Sequence, residues 1–271
     1  MCSNRIGSLI ESLKIQNQGI QTENSCTLSF LRFCTLVFSR RAVNICRMKT
    51  SKNNKGVIFD LDGVLVDTGW AHKQSWLDLG EKEGFSISDE FFYSTFGMQN
   101  YMIIPMLIGR ELPREDVDRL ADWKEQRYRE IIADRLEPTA GAKNLLEDLR
   151  TSGFHTAVGS SAPKVNLNLA LRSADLRNCF DACVSGEQVE HGKPAPDTFL
   201  RAAERLGLAP KQCAVVEDAV QGIEAGKAAG MPVAAVTTTR KRADLAQADI
   251  IVDSLAELTA DNFVRMLKNH G

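Results

Sequence analysis

The feature that most constrains this chain is an alternation, beginning after Lys55, between short apolar runs and segments whose apolar residues recur at helical intervals. Short, continuously apolar runs are typical of strands buried on both faces, as in parallel sheets. The alternation therefore predicts an α/β fold with helices on both faces of a parallel sheet. The strands are predicted at 57–59, 155–158, 182–185, 214–216, 233–236 and 250–252, and the helices between and after them at 142–151, 164–173, 197–206, 219–229 and 258–267.

One long stretch interrupts this alternation. Over residues 68–138 the apolar residues follow helical periods alone, and no run predicts a strand. A helical stretch of this length inside an alternating chain indicates an inserted all-helical domain. We therefore expect a leader over residues 1–52, a core domain formed by residues 53–67 and 139–271, and a helical domain over residues 68–138.

The leader differs from the rest of the chain in composition. Residues 1–47 are rich in serine and contain six basic residues against two acidic ones. The apolar stretch at 26–38 is interrupted by Arg32, which argues against a secretory signal. Two interpretations remain open. Either translation begins at Met48 and the preceding residues are a mis-assigned, disordered extension, or the leader is an organellar transit peptide.

Charge and cysteine usage exclude several classes of function. The formal net charge is −2, which gives no support for a nucleic-acid or membrane partner. No apolar run approaches the roughly 18 residues that a membrane-spanning helix needs. No Cys-x-x-Cys pair occurs among the seven cysteines, so zinc or thiol-redox chemistry has no support. We expect a cytoplasmic monomer, with organellar import as the alternative if the leader is a transit peptide.

Two aspartates follow the first predicted strand directly. Asp60 and Asp62 are two residues apart, so their carboxylates point to the same side if the chain stays extended there. Two close anions are costly unless a cation or a shared proton compensates them. Gly63 permits a sharp turn and a close approach of the backbone to a ligand. This segment indicates a functional site at the end of the strand.

Three further segments follow predicted strands or lie in a restricted loop. Ser160 and Ser161 precede a predicted helix, where hydroxyl and backbone N–H groups suit an anion. Lys193 lies between a glycine and two prolines, which restricts the direction of its ammonium group. Glu217 and Asp218 end another strand, and acidic oxygen ligands from two strand ends suit Mg2+.

Glycines recur at four-residue spacing in the helix after this last segment. We interpret Gly222, Gly226 and Gly230 as residues of close helix packing rather than as a nucleotide loop. The segment Gly226-Lys227-Ala228 lacks the serine or threonine of a phosphate-binding P-loop.

Taken in order, the four segments resemble those of the haloacid dehalogenase (HAD) superfamily of phosphotransferases. Within it, the chain looks like the beta-phosphoglucomutase-like phosphatases, whose helical cap is inserted just after the first motif. The resemblance covers residues 56 to about 255 and implies a Rossmann-like (HAD-type) core with an all-helical cap. The helical stretch that interrupts the alternation is the cap in this interpretation.

The resemblance also implies roles for the residues of the four segments. Asp60 would be the nucleophile that forms an aspartyl-phosphate intermediate, and Asp62 the general acid and then the general base. The phosphoryl oxygens would be bound by Ser160, Ser161 and Lys193. Mg2+ would be bound by Asp60, the backbone carbonyl of Asp62, Glu217 and Asp218. These roles agree with physical chemistry, since Mg2+ and lysine offset the repulsion between a carboxylate and a phosphate.

The cap contains further candidates for substrate binding. Lys124 lies on the apolar face of a predicted helix and matches a cap lysine that contacts substrate phosphate in the mutases. The alternative is that its ammonium group reaches past the edge of the core to water. Thr68 and His72 match positions that orient the acid/base aspartate. Trp76 shares a helical face with His72, and a plain core role for both stays open.

Asn100 is the one departure from the mutase pattern. It stands where the mutases have an arginine that grips a second phosphate, and an amide cannot supply that cationic fork. We therefore expect a Mg2+-dependent phosphatase of a small phosphorylated metabolite, a sugar phosphate or phosphoglycolate. A hexose-phosphate mutase of the beta-phosphoglucomutase type, and a non-catalytic binding or regulatory protein that kept the fold, are the alternatives.

Overall fold

A computed structural model of the chain describes residues 54–133 and 136–270. The leader lies outside the described residues, so the alternative start at Met48, the transit peptide and the localisation that depends on them stay predictions. No helix within the described residues is long and apolar enough to span a membrane.

The core is a six-stranded parallel sheet in the order β3-β2-β1-β4-β5-β6. All six strands predicted from the apolar runs are present, and the predicted α/β fold is confirmed. The strands are β1 (Gly56–Phe59), β2 (His155–Gly159), β3 (Ala182–Val184), β4 (Cys213–Glu217), β5 (Val233–Val236) and β6 (Ile250–Val252).

Both faces of this sheet are covered by helices because successive side chains of a strand point to opposite faces. In β1, Val57 and Phe59 belong to one hydrophobic cluster and Ile58 to another, and all three are fully buried. Helices α5 (Ala142–Thr151), α6 (Lys164–Ser173) and α9 (Ala260–His270) pack on the first face, and α7 (Asp197–Leu206) and α8 (Val220–Ala228) on the second.

The stretch between β1 and α5 is helical, as its apolar periods predict. It contains α1 (Gly69–Glu83), α2 (Asp89–Thr95), α3 (Asn100–Ile108) and α4 (Arg114–Ile132). These helices bury a hydrophobic cluster of their own, with Trp76, Leu79, Phe92, Ile104 and Leu120 among its members. The last turns of α4 leave this cluster, because Tyr128 and Ile132 pack into the core. We call residues 68–138 the cap; its boundaries stay a prediction.

The strand order reverses direction between β1 and β4. From β1 the chain proceeds to β2 and β3 on one side, whereas β4, β5 and β6 lie on the other. Such a switch point leaves a crevice beyond the carboxyl ends of the strands, where ligands bind in open α/β sheets. The two acidic segments follow β1 and β4, so the topology brings them together at this crevice.

Candidate active site

The first acidic segment turns sharply as soon as β1 ends. The N–H groups of Leu65 and Val66 both donate to the carbonyl of Leu61, and Gly63 has a φ of 83°. The chain therefore does not stay extended from Asp60 to Asp62, and the condition under which their carboxylates point to the same side is not met. The turn nevertheless keeps both aspartates on the wall of one cavity.

This cavity has a volume of about 710 Å³ and lies between the core and the cap. It is the size of pocket that binds a small metabolite. The residues that line it include Asp60, Asp62, His72, Trp76, Asn100, Lys124, Glu125 and Ser161. Four other predicted site residues are buried in the core, each 1% exposed: Ser160, Lys193, Glu217 and Asp218.

Lys193 links the two acidic segments. Its Nζ lies 2.5 Å from Oδ1 of Asp60 and 2.6 Å from Oε1 of Glu217. The ammonium also lies 4.8 Å from the ring centroid of Phe199, on α7. The second oxygen of Glu217, Oε2, accepts from the N–H groups of Asp218 and Ala219 at 2.7 and 2.9 Å. Glu217 is thus held by a lysine on one side and two backbone amides on the other.

The acidic groups around Lys193 outnumber the cation. Asp60, Glu217 and Asp218 each present one carboxylate oxygen within 4.8 Å of the others. Burial raises the pKa of Asp60 from 3.8 to about 7, with Lys193 opposing the shift and Glu217 adding to it. Burial and the same neighbouring carboxylates raise the pKa of Asp218 well above its ordinary value. Three buried carboxylates facing one ammonium fit a divalent cation with oxygen ligands.

Two glycines make room for these carboxylates. A Cβ on Gly63 would lie 2.0 Å from Oδ2 of Asp218, and one on Gly222 would lie 1.7 Å from Oε1 of Glu217. The packing role predicted for the spaced glycines holds for Gly226, where a Cβ would meet Val233 at 2.7 Å. It also holds for Gly222, where the close neighbour is the carboxylate of Glu217. It is wrong for Gly230, where a Cβ would meet nothing within 4 Å.

The two serines after β2 differ in their hydrogen bonds. Oγ of Ser160 accepts from the N–H of Ala162 at 3.0 Å, which stabilises the turn before α6. Oγ of Ser161 is buried without a hydrogen-bond partner in the described structure, and Ser161 lines the cavity. An unpartnered buried hydroxyl is costly unless a ligand satisfies it. Ser161 is therefore well placed to bind one.

Asp62 accepts three hydrogen bonds at a single oxygen. Oδ1 lies 2.5 Å from the hydroxyl of Thr68, and 3.4 Å from both Nε2 of His72 and the hydroxyl of Tyr128. Burial opposes ionisation of Asp62, but His72, Thr68 and Lys124 outweigh it, and the pKa of Asp62 lies below its ordinary value. Tyr128 was not among the residues singled out from the sequence.

His72 connects Asp62 to Lys124. Nζ of Lys124 lies 2.7 Å from Nδ1 of His72, and since an ammonium group only donates, Nδ1 accepts. A neutral His72 then carries its proton on Nε2, which faces Asp62. The ring of His72 stacks on that of Tyr128 at 4.0 Å with 14° between the planes. Lys124 is 2% exposed, so the predicted alternative of an ammonium reaching past the core to water is wrong.

Trp76 combines the two roles that the sequence left open. It packs in the hydrophobic cluster of the cap with Leu79 and is 5% exposed. It also lines the cavity, and Nζ of Lys124 lies 5.3 Å from its ring centroid. The core role and a place on the wall of the cavity are therefore both realised.

Glu125 is a buried site residue that the sequence analysis missed. Its Oε1 accepts from Nδ2 of Asn100 at 2.7 Å and from Nζ of Lys124 at 2.8 Å, and its Oε2 accepts from Asn166 on α6. Burial opposes its ionisation, but Lys124 and His72 outweigh burial, and the pKa of Glu125 is lowered. Ala121 and Glu125 are one helical turn apart and both line the cavity, so the helix face that they share was the available signal.

Gln99 is a second residue that the sequence analysis missed. Its Nε2 donates to the carbonyl of Gly186 at 3.0 Å, across the boundary between cap and core. A Cβ on Gly186 or on Gly192 would lie 2.7 Å from side-chain atoms of Gln99. Gln99 thus fits a slot between two glycines, one of which precedes Lys193. No local pattern signals this contact, because its partners lie 87 residues apart.

Comparison with known proteins agrees with this fold. The family model described as haloacid dehalogenase-like hydrolase matches residues 57–236. Fructose-1-phosphate phosphatase YqaB of Escherichia coli is 36% identical over 182 residues, which are 65% of this chain and 93% of that protein. Hexitol phosphatase A of the same organism is 32% identical over 206 residues, 76% of this chain and 93% of that protein.

A solved structure shares the architecture. The crystal structure described as beta-phosphoglucomutase from Clostridium difficile superimposes with a TM-score of 0.73 at 26% sequence identity, covering 80% of this chain and 98% of that one. The family match extends from β1 to β5 and includes both acidic segments and Lys193. This chain belongs to the haloacid dehalogenase-like hydrolases.

Proposed function

We propose that this protein is a Mg2+-dependent phosphatase that hydrolyses a small phosphorylated carbohydrate through an aspartyl-phosphate intermediate. The observation that carries the proposal is that Asp60 and Asp62 lie on the wall of one cavity, and that the ammonium group of Lys193 binds the carboxylate of Asp60. A nucleophile, an acid/base group and a cation for the phosphoryl group are thus within one site. The relatives named above are phosphatases of carbohydrate phosphates.

The reaction divides into two displacements at phosphorus. A carboxylate oxygen of Asp60 attacks the phosphorus, the ester bond breaks, and the leaving oxygen takes a proton from Asp62. Asp62, now ionised, removes a proton from water as the water oxygen attacks the phosphorus of the acyl phosphate. Inorganic phosphate leaves and Asp60 is regenerated. The covalent intermediate replaces one hard step by two easier ones.

The environment of Asp62 suits the second displacement directly. The pKa of Asp62 is lowered, so it is an ionised base when water attacks. The first displacement needs the protonated form. A bound phosphate dianion favours protonation of Asp62, because a nearby anion raises the pKa of a carboxyl group. His72 and Thr68 bind Oδ1, which fixes the orientation of the carboxyl group in both steps.

Asp60, the backbone carbonyl of Asp62 and Asp218 would hold the Mg2+ ion, with Glu217 assisting. The excess of buried carboxylates over Lys193 is the structural reason for expecting the ion. When bound, Mg2+ would neutralise charge on the phosphoryl group during transfer. Lys193, Ser160 and Ser161 would bind phosphoryl oxygens, and the unpartnered hydroxyl of Ser161 favours that role.

The mutase is the weaker alternative. A mutase must hold a second phosphate, and Asn100, at the position of the expected arginine, donates to the carboxylate of Glu125. An amide on a carboxylate provides no positive charge for a phosphate. The oligomeric state and the cellular location stay predictions.

Phosphorus NMR of the full chain tests the proposal. The protein is incubated with Mg2+, a pool of hexose, hexitol and small-acid phosphates, and a trace of glucose 1,6-bisphosphate, with Asp60→Asn as control. Growth of the inorganic phosphate signal in the wild type alone supports the phosphatase, and the ester signal that shrinks identifies the substrate class. Conversion of beta-glucose 1-phosphate into glucose 6-phosphate without phosphate release would establish the mutase instead.

A further inference from the structure

We infer that Glu125, together with Asn100, makes the cap wall of the cavity selective for substrates whose far end carries hydroxyl groups and no second anion. The inference rests on the proposed phosphatase function, because it concerns the end of the substrate that is not transferred. Its basis is how the cations of the cap wall are paired and which hydrogen-bonding positions they leave open.

The buried cation of the cap wall, Lys124, is paired with a carboxylate, and the exposed Arg114 at the edge of the cavity lies beside another. Nζ of Lys124 lies 2.8 Å from Glu125, and Nε of Arg114 lies 2.9 Å from Asp118. All four of these residues line the cavity, and they include every lysine and arginine that does so within the described structure. A second phosphate at the buried part of this wall would therefore meet no unpaired lysine or arginine of the described structure. It would instead approach the carboxylate of Glu125, which is 6% exposed.

The ion pair of Glu125 is also fixed in place. Its three donors come from Lys124 and Asn100 in the cap and from Asn166 in the core. Asn166 is held in turn, because its Oδ1 accepts from Nη1 of Arg129 at 2.9 Å. Glu125 cannot swing away to release Lys124 for an anion without giving up all of these bonds. The pairing of Lys124 with Glu125 is thus fixed by contacts from both the cap and the core.

The same wall keeps hydrogen-bonding capacity that hydroxyl groups can use. Lys124 has three N–H donors, and His72 and Glu125 take two of them. The carboxylate of Glu125 offers about four lone-pair positions and accepts three bonds. Asn100 uses its amide nitrogen on Glu125, which leaves Oδ1 as an acceptor. A hydroxyl group both donates and accepts, so a polyol end satisfies this mixture, whereas a phosphate only accepts.

The test compares substrates that differ only in the far group. The specificity constant kcat/KM is measured for a hexose 1-phosphate, the matching hexose 1,6-bisphosphate and phenyl phosphate, which has neither hydroxyls nor a second anion. The variants are wild type, Glu125→Gln and the control Glu130→Gln, which removes a charge from the exposed face of the same helix. Retained activity on phenyl phosphate shows that the phosphoryl site is intact.

We expect wild type and Glu130→Gln to prefer the monophosphate over the bisphosphate. Glu125→Gln should reduce that preference about tenfold or more, the change in specificity that one charged contact controls. A change passed from Glu125 through Lys124 and His72 to Asp62 alters kcat/KM for all three esters together, so the ratio between the two hexose esters is the readout. A wild-type enzyme that uses both hexose esters equally, or a preference unchanged by Glu125→Gln, would overturn the inference.

A second variant covers the possibility that Glu125→Gln disturbs the cap. In Glu125→Gln the side-chain NH2 group of the glutamine would face Nδ2 of Asn166. Both groups are hydrogen-bond donors, so neither would have an acceptor there. Glu125→Gln combined with Asn166→Asp restores an acceptor there, and Arg129 neutralises the new carboxylate. This double variant should show the same loss of preference. Failure of the wild type to hydrolyse any of the three esters contradicts the proposed function itself, which separates the two failures.

Discussion

The cavity is bounded by two buried charged clusters that are built on opposite principles. The core cluster consists of Asp60, Lys193, Glu217 and Asp218, and its carboxylates outnumber its ammonium group by three to one. In the cap cluster, which comprises His72, Asn100, Lys124, Glu125 and Asn166, one carboxylate faces one ammonium. The lysine and carboxylate side chains of both clusters are buried, so charge balance and not exposure distinguishes the clusters.

The pKa shifts of the buried carboxyl groups reflect this difference in charge balance. Burial and neighbouring carboxylates raise the pKa of Asp60 and Asp218, whereas Lys124 and His72 outweigh burial at Glu125 and lower its pKa. Ionisation of Asp60 and Asp218 in the core cluster is therefore disfavoured, whereas ionisation of Glu125 in the cap cluster is favoured. A cluster that resists ionisation until a cation arrives suits metal-dependent chemistry. A cluster whose one carboxylate is already paired with its one ammonium group suits hydrogen bonding to an uncharged substrate tail.

The largest effect is expected from removing the proposed nucleophile. Asp60→Asn should lower turnover by on the order of 10³-fold or more, as loss of a covalent nucleophile does. The fold should be retained, because the amide removes one of the charges that repel each other in the core cluster. Turnover is measured by phosphate release and folding by circular dichroism. Asp122→Asn, on the exposed face of α4, is the matched control, and an active, folded Asp60→Asn would refute the nucleophile assignment.

Metal removal sharpens the contrast between the clusters. With its pKa raised from 3.8 to about 7, Asp60 binds a proton more tightly in the folded than in the unfolded state. Between these pH values the folded state binds more protons, so the stability of the metal-free protein should fall as pH rises from about 4 to 7. Mg2+ should reverse this loss and stabilise by about 2.7 kcal/mol at a hundredfold excess over its Kd.

Thermal unfolding with Mg2+ and with a chelator, at pH 5 and at pH 8, measures this effect. The increase in Tm with Mg2+ should be larger at pH 8, where the carboxylates are ionised and free to bind the ion. Asp60→Asn should reduce the increase at pH 8. An increase of equal size at both pH values, or in both proteins, would contradict the account of the core cluster as a site that requires a cation.

The two clusters also differ in how far the sequence reveals them. Asp60, Glu217 and Asp218 follow short apolar runs, and parallel strands end at one edge, so their meeting was predictable from local patterns. Glu125 and Asn166 are 41 residues apart on a cap helix and a core helix. Their contact depends on how the cap seats on the core, which no local period encodes. Lys124 was singled out by its place on an apolar helix face and by its match to the family pattern, and His72 by that match.

A helix glycine tests the geometry of the core cluster without changing its charges. Gly222→Ala places a methyl group 1.7 Å from Oε1 of Glu217, so the carboxylate must leave the position in which it binds Lys193. We expect activity to fall about 10- to 100-fold. The free energy of unfolding should fall by about 1–3 kcal/mol, because two buried charged partners separate.

Gly230→Ala is the control for this substitution. Its Cβ meets nothing within 4 Å, but Gly230 has a φ of 72°, so alanine carries about 1–2 kcal/mol of backbone strain. The two variants should therefore lose similar stability, and only Gly222→Ala should lose activity. Equal activity in both would show that Glu217 does not depend on the space beside it.

The smallest effect is expected in the acid unfolding of the cap cluster. Because the pKa of Glu125 is lowered in the folded state, its ionised form stabilises the protein above the ordinary glutamate pKa of 4.5, and that stability is lost as pH falls through the lowered value. Glu125→Gln should thus flatten the loss of stability below about pH 5, with an effect of roughly 1 kcal/mol. Urea unfolding at pH 3.5, 4.5 and 6 measures it, with Glu130→Gln as control. If Glu125→Gln instead changed the pH dependence of the unfolding free energy near neutral pH, the pKa of Glu125 would be raised like that of Asp60, and the two clusters would not differ.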